Sequence, residues 1–327
     1  MLPVRKMVLV AALACAFGAP IAAAAGGPTP ADRHAVWRDP QDPARTLIIA
    51  TDASGVALYD LSGTRLQAVT AEGPSGLDLR EGFPTPKGER VLVAVSETGR
   101  SGAGVALYFL DPTRRTLDFW AAVPLDLARP QGLCLARRDA AFLMIVSGGD
   151  GEVRQLRVEA GADGAARLVE ERRFAIDGPP AGCVADDAHG RLYLTEAGRG
   201  VRGFDLAAAP AGPGEMVADA PSPTLLPDVD SLSLLQDDGA TWLVASSRID
   251  SAIVVWRLDE TLTYWFGSYD VVETGGVNSV SGARGVAARG RLVGGFAGGL
   301  LVTQAGQDGG RSLKLVDWGR VRDGLGL

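Results

Sequence analysis

Short runs in which apolar and polar residues alternate recur along the whole chain, for example at 55–61, 105–111 and 192–194. Alternation with a period of two gives the two faces of a β-strand different chemistry. Between residues 30 and 327 no stretch keeps the spacing of an amphipathic helix over a dozen residues. The pattern therefore predicts an all-β chain.

The runs follow one another in a repeat of about fifty residues. A small residue followed by aliphatic, variable and aliphatic residues begins at positions 76, 132, 182, 231 and 285, and a related run at 35–37 precedes them. Stronger strands are predicted behind these starts, at 47–52, 91–97, 142–147, 192–196, 242–247 and 299–304. Third strands are predicted at 56–61, 105–111, 152–158, 201–206, 253–259 and 313–318.

Six repeats of three or four strands predict a six-bladed β-propeller. A β-sandwich, or a pair of them, is the alternative, but sandwiches do not keep one strand order at this period. In a propeller the first strand of each blade lines a central channel. The connections between second and third strands then gather on one face.

Cys134 and Cys183 stand at matching positions in the first strands of successive repeats. Inner strands of neighbouring blades can come within disulfide reach. Two buried thiols acting as small apolar side chains are the other interpretation. The sequence leaves both open.

The first 25 residues have the features of a secretory signal. Arg5 and Lys6 give a positive start, 7–17 form an apolar run, and 22–25 offer small residues for cleavage. We expect a leader at 1–25, a single propeller domain at 26–327, and export to the periplasm or the cell exterior.

Two other fates of the leader are less favoured. A membrane anchor needs about 20 apolar residues, and Gly18 and Pro20 interrupt the run. A lipoprotein would be modified at Cys15, but the three residues before it make a poor lipobox. No later segment is long and apolar enough to span a bilayer.

Net charge excludes one class of partner. The chain has a formal charge of −7, whereas a nucleic-acid-binding protein needs a basic face. We therefore predict no nucleic-acid partner. We also expect no membrane span, a small-molecule partner and a monomer.

Several catalytic schemes have no residues to support them. The only histidines, His34 and His189, belong to no histidine-phosphatase or zinc-protease motif, and no GxSxG elbow, Walker loop or DxDxDG calcium loop occurs. Lysine occurs only at Lys6, Lys87 and Lys314. Positive charge at a site must therefore come mainly from arginine.

Acids and arginines at predicted strand ends carry the remaining chemistry. Carboxylates from several blades could hold Ca²⁺, which takes roughly six to eight oxygen ligands, and guanidinium groups could pair with phosphate oxygens. For any one member, a turn residue or a solvated strand end is the simpler interpretation, above all for Asp52 and Asp150, which stand near glycine. The set comprises Asp32, Asp52, Asp78, Arg80, Glu97, Arg100, Asp150, Glu152, Asp186, Asp187, Glu196, Asp228, Asp230 and Arg248.

Ordered strings from residue 32 to residue 318 resemble the β-propeller phytases. The most specific string is 181–187, Ala-Gly-Cys-Val-Ala-Asp-Asp, followed by Gly-Arg-Leu-Tyr-Leu at 190–194. The other strings lie at 32–37, 47–52, 55–61, 77–80, 130–135, 148–153, 228–232, 245–247 and 314–318. The resemblance covers nearly the whole predicted mature chain.

The resemblance implies calcium-dependent phosphomonoesterase activity on myo-inositol hexakisphosphate. In that family calcium ions and basic residues hold two phosphates, and a metal-activated water attacks one of them. Carried over by motif, Glu196 and Asp230 are expected as catalytic carboxylates that also bind calcium, with Asp32 as a further metal ligand. The expected substrate-binding residues are Arg100, Asp150 and Arg248, with Asp150 a shorter substitute for a glutamate.

The chain departs from the family at many ligand positions. Arg33 stands where the family has a second aspartate, Gln131 replaces a phosphate-contacting tyrosine, and Gly149 replaces a lysine. Ala181 replaces a glutamate, and the late aspartate-rich loop has become 281–285. Because calcium affinity depends on the number of charged ligands, the resemblance alone does not secure a calcium site.

Arginine stands in place of an acid or an amide at Arg33, Arg248 and Arg284. One hypothesis is that these guanidinium groups take over part of the role of calcium in a metal-independent anion site. The other is drift in a protein that no longer binds phytate.

Our prediction is a phytase-like phosphomonoesterase, weakened by the replaced metal ligands. The alternatives are a catalytically silent propeller that binds inositol phosphates, and an interaction scaffold, because a fold does not dictate a function.

Overall fold

In the computed structural model, six β-sheets surround a central channel. The structure describes residues 8–10, 21–22, 33–52, 54–99, 102–207, 212–222, 225, 227–249, 252–258, 263–271, 284–305 and 312–325. The predicted site residues Asp32 and Arg100, and most of the loop at 281–285, lie outside these ranges.

Strands β1 and β2 precede the blades and both lie in the predicted leader. They comprise Val8–Val10 and Ile21–Ala22.

Blades 1 to 3 are four-stranded antiparallel meanders, each of which runs from its inner strand outward. Blade 1 comprises β3 (His34–Trp37), β4 (Leu47–Asp52), β5 (Gly55–Asp60) and β6 (Arg65–Thr70), with a 3-10 turn at Pro43–Arg45. Blade 2 comprises β7 (Pro74–Thr85), β8 (Gly88–Gly99), β9 (Gly102–Asp111) and β10 (Thr116–Pro124). Blade 3 comprises β11 (Pro130–Arg138), β12 (Ala141–Gly148), β13 (Glu152–Ala160) and β14 (Ala166–Ala175).

Blades 4 to 6 complete the ring. Blade 4 comprises β15 (Cys183–Asp186), β16 (Arg191–Glu196), β17 (Gly200–Asp205) and β18 (Glu215–Asp219). Blade 5 comprises β19 (Val229–Asp237), β20 (Ala240–Ser247), β21 (Ala252–Leu258) and β22 (Thr263–Val271), with β1 parallel to β22 at its edge. Blade 6 comprises β23 (Arg284–Gly290), β24 (Gly299–Ala305) and β25 (Ser312–Asp317), with β2 antiparallel to β25 as its fourth strand.

Each pair of neighbouring blades encloses its own hydrophobic core, which gives six clusters around the ring. The cluster between blades 6 and 1 closes the ring, where Val36 and Ile48 pack with Leu300 and Val302. Second strands such as β4 and β12 are buried on both faces and therefore read as continuous apolar runs. The predicted six-bladed propeller is confirmed.

A disulfide joins Cys134 and Cys183, with 5.4 Å between their Cα atoms. It links the inner strands of blades 3 and 4 across 49 residues of sequence. Of the two interpretations left open by the sequence, the structure selects the bridge.

The small residue that begins the repeat is required by close packing. A Cβ added to Gly76 would lie 2.6 Å from Cβ of Leu133 and 2.7 Å from Oγ of Ser96, and one added to Gly132 would lie 2.7 Å from Oγ of Ser147. Each second strand carries a buried hydroxyl near its end, namely Thr51, Ser96, Ser147, Thr195, Ser246 and Thr303.

The last predicted strand, 313–318, is one residue too long. Strand β25 ends at Asp317, and Trp318 begins the helix α1 (Trp318–Leu325). The Trp318 ring is fully buried, and its indole N–H donates to Oδ2 of Asp237 at 2.8 Å. Among the described residues, no helix is long and apolar enough to cross a membrane.

Candidate functional site: the upper mouth of the channel

The upper face of the propeller is the face where the inner strands begin and the second and third strands connect. The predicted residues Asp150, Glu196, Asp230 and Arg248 all lie on it, at strand ends or in these connections. The opposite face, with the connections between first and second strands, is called the lower face. A cavity of about 400 Å³ lies along the channel between them.

Bulges at the start of the inner strands aim side chains at the upper mouth. The pairing register shifts between Pro130 and Gly132 in blade 3, and between Val229 and Ser231 in blade 5. A bulge leaves one extra residue outside the ladder, and in these two blades that residue is Gln131 or Asp230. The same shift occurs at Ser75 in blade 2 and at Gly285 in blade 6.

Arg33 spans the upper mouth. Its Nη1 lies 3.0 Å from Oδ2 of Asp230 in blade 5. Its Nε donates to the carbonyl of Ser75 in blade 2 at 3.2 Å, and Nη2 donates to the carbonyl of Ala181 in blade 4 at 3.1 Å. One side chain, entering blade 1, therefore ties four blades together.

Asp230 is a half-buried carboxylate that stays charged. Its Oδ2 also accepts a hydrogen bond from the backbone N–H of Gly285 at 3.2 Å. Burial acts to raise the pKa of Asp230, but the charge of Arg33, the hydrogen bonds from Gly285 and Arg33 and the charge of Arg248 together lower it below the ordinary value. No donor among the described residues reaches Oδ1.

Arg248 lies beside this pair and is open to solvent. Its Nε contacts Oδ2 of Asp228 at 2.7 Å, and its side chain is 40% exposed. The neighbouring carboxylates raise the pKa of Arg248, chiefly through the hydrogen bond to Asp228. The structure therefore brings Asp230 and Arg248 together with Asp228 and Arg33.

Glu196 belongs to a second charged cluster, in blade 4. It is 2% exposed, with Nε of Arg202 at 2.8 Å and Nη1 of Arg199 at 3.6 Å from its two oxygens. Arg199 also pairs with Asp177 at 2.6 Å. Two arginines thus neutralise two carboxylates.

Asp150 lies in the exposed turn that joins β12 and β13. Its Oδ1 accepts the backbone N–H of Glu152 at 3.2 Å, as in a turn. Beside it, a Cβ added to Gly149 would lie 3.2 Å from Nε2 of Gln131 and 3.6 Å from Nε of Arg129. The space above Gly149 is thus bordered by hydrogen-bond donors.

Arg129 and Arg199 are cationic residues of this face that sequence reasoning missed. A signal for Arg199 was present, because Glu196 and Arg199 repeat the spacing of Glu97 and Arg100, each pair following the buried hydroxyl of a second strand. Arg129 stands just before the bulged strand of blade 3 and carries no such signal.

The described residues do not fit a calcium site. They contain no group of three histidine, cysteine, aspartate or glutamate residues placed to hold a metal ion. The carboxylates predicted as ligands, Glu196 and Asp230, each lie against arginine instead. A calcium ion needs several free oxygen ligands, whereas these oxygens accept from guanidinium groups.

Arg80 spans the lower mouth in a similar way. Its Nη1 and Nε lie 3.1 Å from carboxylate oxygens of Asp78 and Asp187, and Nη2 donates to the carbonyl of Ala185 at 3.2 Å. Burial acts to lower the pKa of Arg80, but the two carboxylates raise it.

His34 lines the channel next to Arg33. Its Nε2 lies 3.3 Å from Oε1 of Gln304, and Nδ1 is buried with no partner among the described residues. Burial lowers the pKa of His34 to about 4. The imidazole is therefore neutral at physiological pH.

Comparison with known proteins identifies the family that the chain matches. The family model described as Phytase matches residues 9–326. The 3-phytase of Bacillus subtilis (strain 168) is 25% identical over 318 residues, which cover 92% of this chain and 83% of that protein.

A solved structure, that of U3-55K, is similar in fold alone. It aligns with a TM-score of 0.50 over 86% of this chain and 80% of its own, at 13% sequence identity. Because the identity is low, this likeness bears on architecture and not on chemistry.

Proposed function

The chain belongs to the phytase family of phosphoric monoester hydrolases, and we propose that its upper mouth removes phosphate from myo-inositol hexakisphosphate. The observation that carries the proposal is a family match over residues 9–326 combined with arginines at the mouth of the channel. The match favours turnover over the silent binder and the scaffold considered from the sequence.

Arg248 is the proposed phosphate-binding residue. A guanidinium group can form two parallel hydrogen bonds with phosphate oxygens, and Arg248 is solvent-accessible while Asp228 fixes its orientation. Arg129 and Gln131, around Gly149, are proposed to hold a second phosphate. Arg100, predicted from the family, keeps its proposed role as a further phosphate contact.

Asp230 is the proposed catalytic carboxylate. Its Oδ2 is fixed by Arg33 and Gly285, which leaves Oδ1 to orient a water molecule toward phosphorus. The water oxygen forms a new bond to phosphorus while the bond from phosphorus to the inositol oxygen breaks. The proton that the water loses ends on the inositol oxygen. Positioning and charge neutralisation carry most of the catalysis in such reactions.

Glu196 is proposed as a positioning residue rather than one that touches substrate. It is buried beneath Arg199 and Arg202, and it fixes Arg199 at the rim of the same face. Asp150 is proposed to shape the turn beside Gly149.

Phosphate release from myo-inositol hexakisphosphate tests the proposal. Wild type should release phosphate, and Arg248→Ala should lower kcat/KM about 10- to 100-fold, as expected for the loss of a hydrogen bond between charged groups. Arg45→Ala is the matched control, because Arg45 also pairs with an aspartate, is 46% exposed and lies on the lower face. No release by wild type, or equal losses in the two variants, would contradict the proposal.

We also propose that the protein is exported and acts as a monomer. The basic start, apolar run and small residues of 1–25 support a cleaved leader. Cleavage would remove β1 and β2, so that blade 6 of the mature chain would consist of β23, β24 and β25. Cell fractionation with intact-mass measurement should find a periplasmic or extracellular chain that begins within 23–26. An intact Met1, or a lipid on Cys15, would contradict cleavage at this site. Sedimentation velocity should give the mass of a single chain, and the mass of a dimer would contradict the monomer.

A further inference from the structure

At the upper mouth two carboxylates are each paired with a guanidinium group. Around the channel axis, the carboxylates of Asp228 and Asp230 face the guanidinium groups of Arg248 and Arg33 at 2.7 and 3.0 Å. These are the two arginines that stand where the resemblance led us to expect an amide and an acid. Two positive charges match two negative ones.

A divalent ion has no favourable place in this arrangement. Next to Asp230 it would lie close to the Arg33 guanidinium, because Nη1 lies 3.0 Å from Oδ2. Like charges at such distances repel strongly in a partly buried setting. At Oδ2 the ion would have to displace the N–H groups of Arg33 and Gly285. At Oδ1 it would gain a single carboxylate oxygen, whereas calcium takes roughly six to eight oxygen ligands.

We propose that Arg33 is the resident cation of the upper mouth, holding Asp230 in the role that a metal ion would otherwise fill. The site then binds phosphate without calcium. This inference rests on the proposed phosphate-binding role of the face, but Arg33 can be tested without any turnover.

Arg33 is built into the fold rather than placed at a flexible rim. Its side chain is 13% exposed, and its three nitrogens reach three other blades. A guanidinium group fixed by backbone carbonyls needs little further ordering when an anion arrives. The cluster of Glu196 with Arg199 and Arg202 repeats the same design in blade 4.

Titration with calcium chloride alone, by isothermal calorimetry and by thermal melting, tests this role. Arg33→Gln removes the charge and keeps amide donors for the carbonyls of Ser75 and Ala181. It should bind Ca²⁺ at least about tenfold more tightly than wild type, since Asp230 regains a free charge. Its melting temperature should rise on adding Ca²⁺, while wild type melts equally in Ca²⁺ and in EGTA. Adding Asp230→Asn to Arg33→Gln should abolish the gain.

Arg80→Gln is the matched control. Arg80 also spans the channel and pairs with carboxylates, but at the lower mouth, so this variant should gain no calcium response. The calcium titration of wild type tests the proposal even if a variant fails to fold. A calcium response of wild type that Asp230→Asn removes would overturn the proposal, and so would an Arg33→Gln protein that folds and gains none.

Inorganic phosphate binding separates this inference from the proposed function. Wild type should bind phosphate with the same affinity in EGTA and in Ca²⁺. Binding that appears only with Ca²⁺ would overturn the resident-cation role and leave a calcium-dependent phosphatase. Calcium-independent binding without phosphate release would contradict the proposed function and leave the role of Arg33 intact.

Discussion

At each mouth of the central channel one arginine reaches across to another blade, but the charges around the two arginines differ. Arg33 spans the upper mouth and Arg80 spans the lower one, and both reach carbonyls of blade 4, at Ala181 and Ala185. Arg80 pairs with two carboxylates of its own. Arg33 shares a single carboxylate, Asp230, which also lies in the field of Arg248.

The difference teaches which end can receive an anion. At the lower mouth Arg80 lies against two carboxylates, so a phosphate would meet carboxylates as well as Arg80. The neighbouring Arg289 is half-buried, and its Nε donates to the carbonyl of Val36. At the upper mouth the solvent-exposed Arg248 adds a second positive charge beside Asp230. An arginine that spans a propeller is therefore not by itself a phosphate site. The charges of the neighbouring side chains determine whether phosphate binds there.

Removing the two arginines should give the largest contrast. Arg33→Ala leaves the half-buried Asp230 with only the Gly285 N–H and the nearby charge of Arg248, and should lower the free energy of unfolding by about 2–3 kcal/mol. Arg80→Ala should cost only about 1 kcal/mol, because Asp78 and Asp187 are more exposed and keep backbone donors from Leu135 and Arg137. Urea unfolding at neutral pH measures both. If both variants lost the same free energy of unfolding, the two arginines would contribute equally to stability, contrary to this comparison.

The disulfide lies between the two arginines along the wall of blade 4. Cys183 stands midway between Ala181 and Ala185, whose carbonyls accept from Arg33 and Arg80. The bridge closes a loop of 49 residues, so replacing both cysteines by alanine should lower the free energy of unfolding by about 2–4 kcal/mol. Thermal melting of oxidised and variant protein checks this. An unchanged melting temperature would show that the disulfide does not stabilise the fold and is not needed to fix the carbonyls of Ala181 and Ala185 in place.

Acid should lower the free energy of unfolding through protonation of His34 in the unfolded chain. Its pKa falls from 6.5 in the unfolded chain to about 4 in the fold, so the unfolded state binds more protons between these values. Stability is then full above pH 6.5 and is lost as pH falls toward 4, by about 3 kcal/mol at most.

His34→Gln should remove that part of the pH dependence. Urea unfolding at pH 7 and at pH 4.5 compares the variant with wild type. The same pH slope in both proteins would show that the buried imidazole is not the group responsible.

The sequence was sufficient to predict the propeller, and least informative at its rim. Second strands such as β4 and β12 were found because burial on both faces gives unbroken apolar runs. Third strands were found from the alternation of apolar and polar residues and from the repeat. The fourth strands of the blades, such as β6 and β14, were not among the predicted strands. They face solvent and mix exposed with half-buried positions, so their pattern resembles that of loops.

The sequence supplied the proposed site residues but not their pairing. The family motifs identified Glu196, Asp230 and Arg248 as candidate site residues. They could not reveal that Arg33 contacts Asp230, because the two are 197 residues apart and meet only when the ring closes. Arg33 was recognised from the sequence as a replacement, but its span across four blades depends on the bulges that turn Ser75 and Asp230 toward the axis.

A crystal soaked with inorganic phosphate and Ca²⁺ tests the central claim most directly. The account predicts phosphate at the upper mouth against Arg248, with the Arg33 guanidinium still on Asp230 and no anomalous calcium peak there. Calcium bound to Asp230 with Arg33 displaced, or phosphate bound beside Arg80 at the lower mouth, would contradict it.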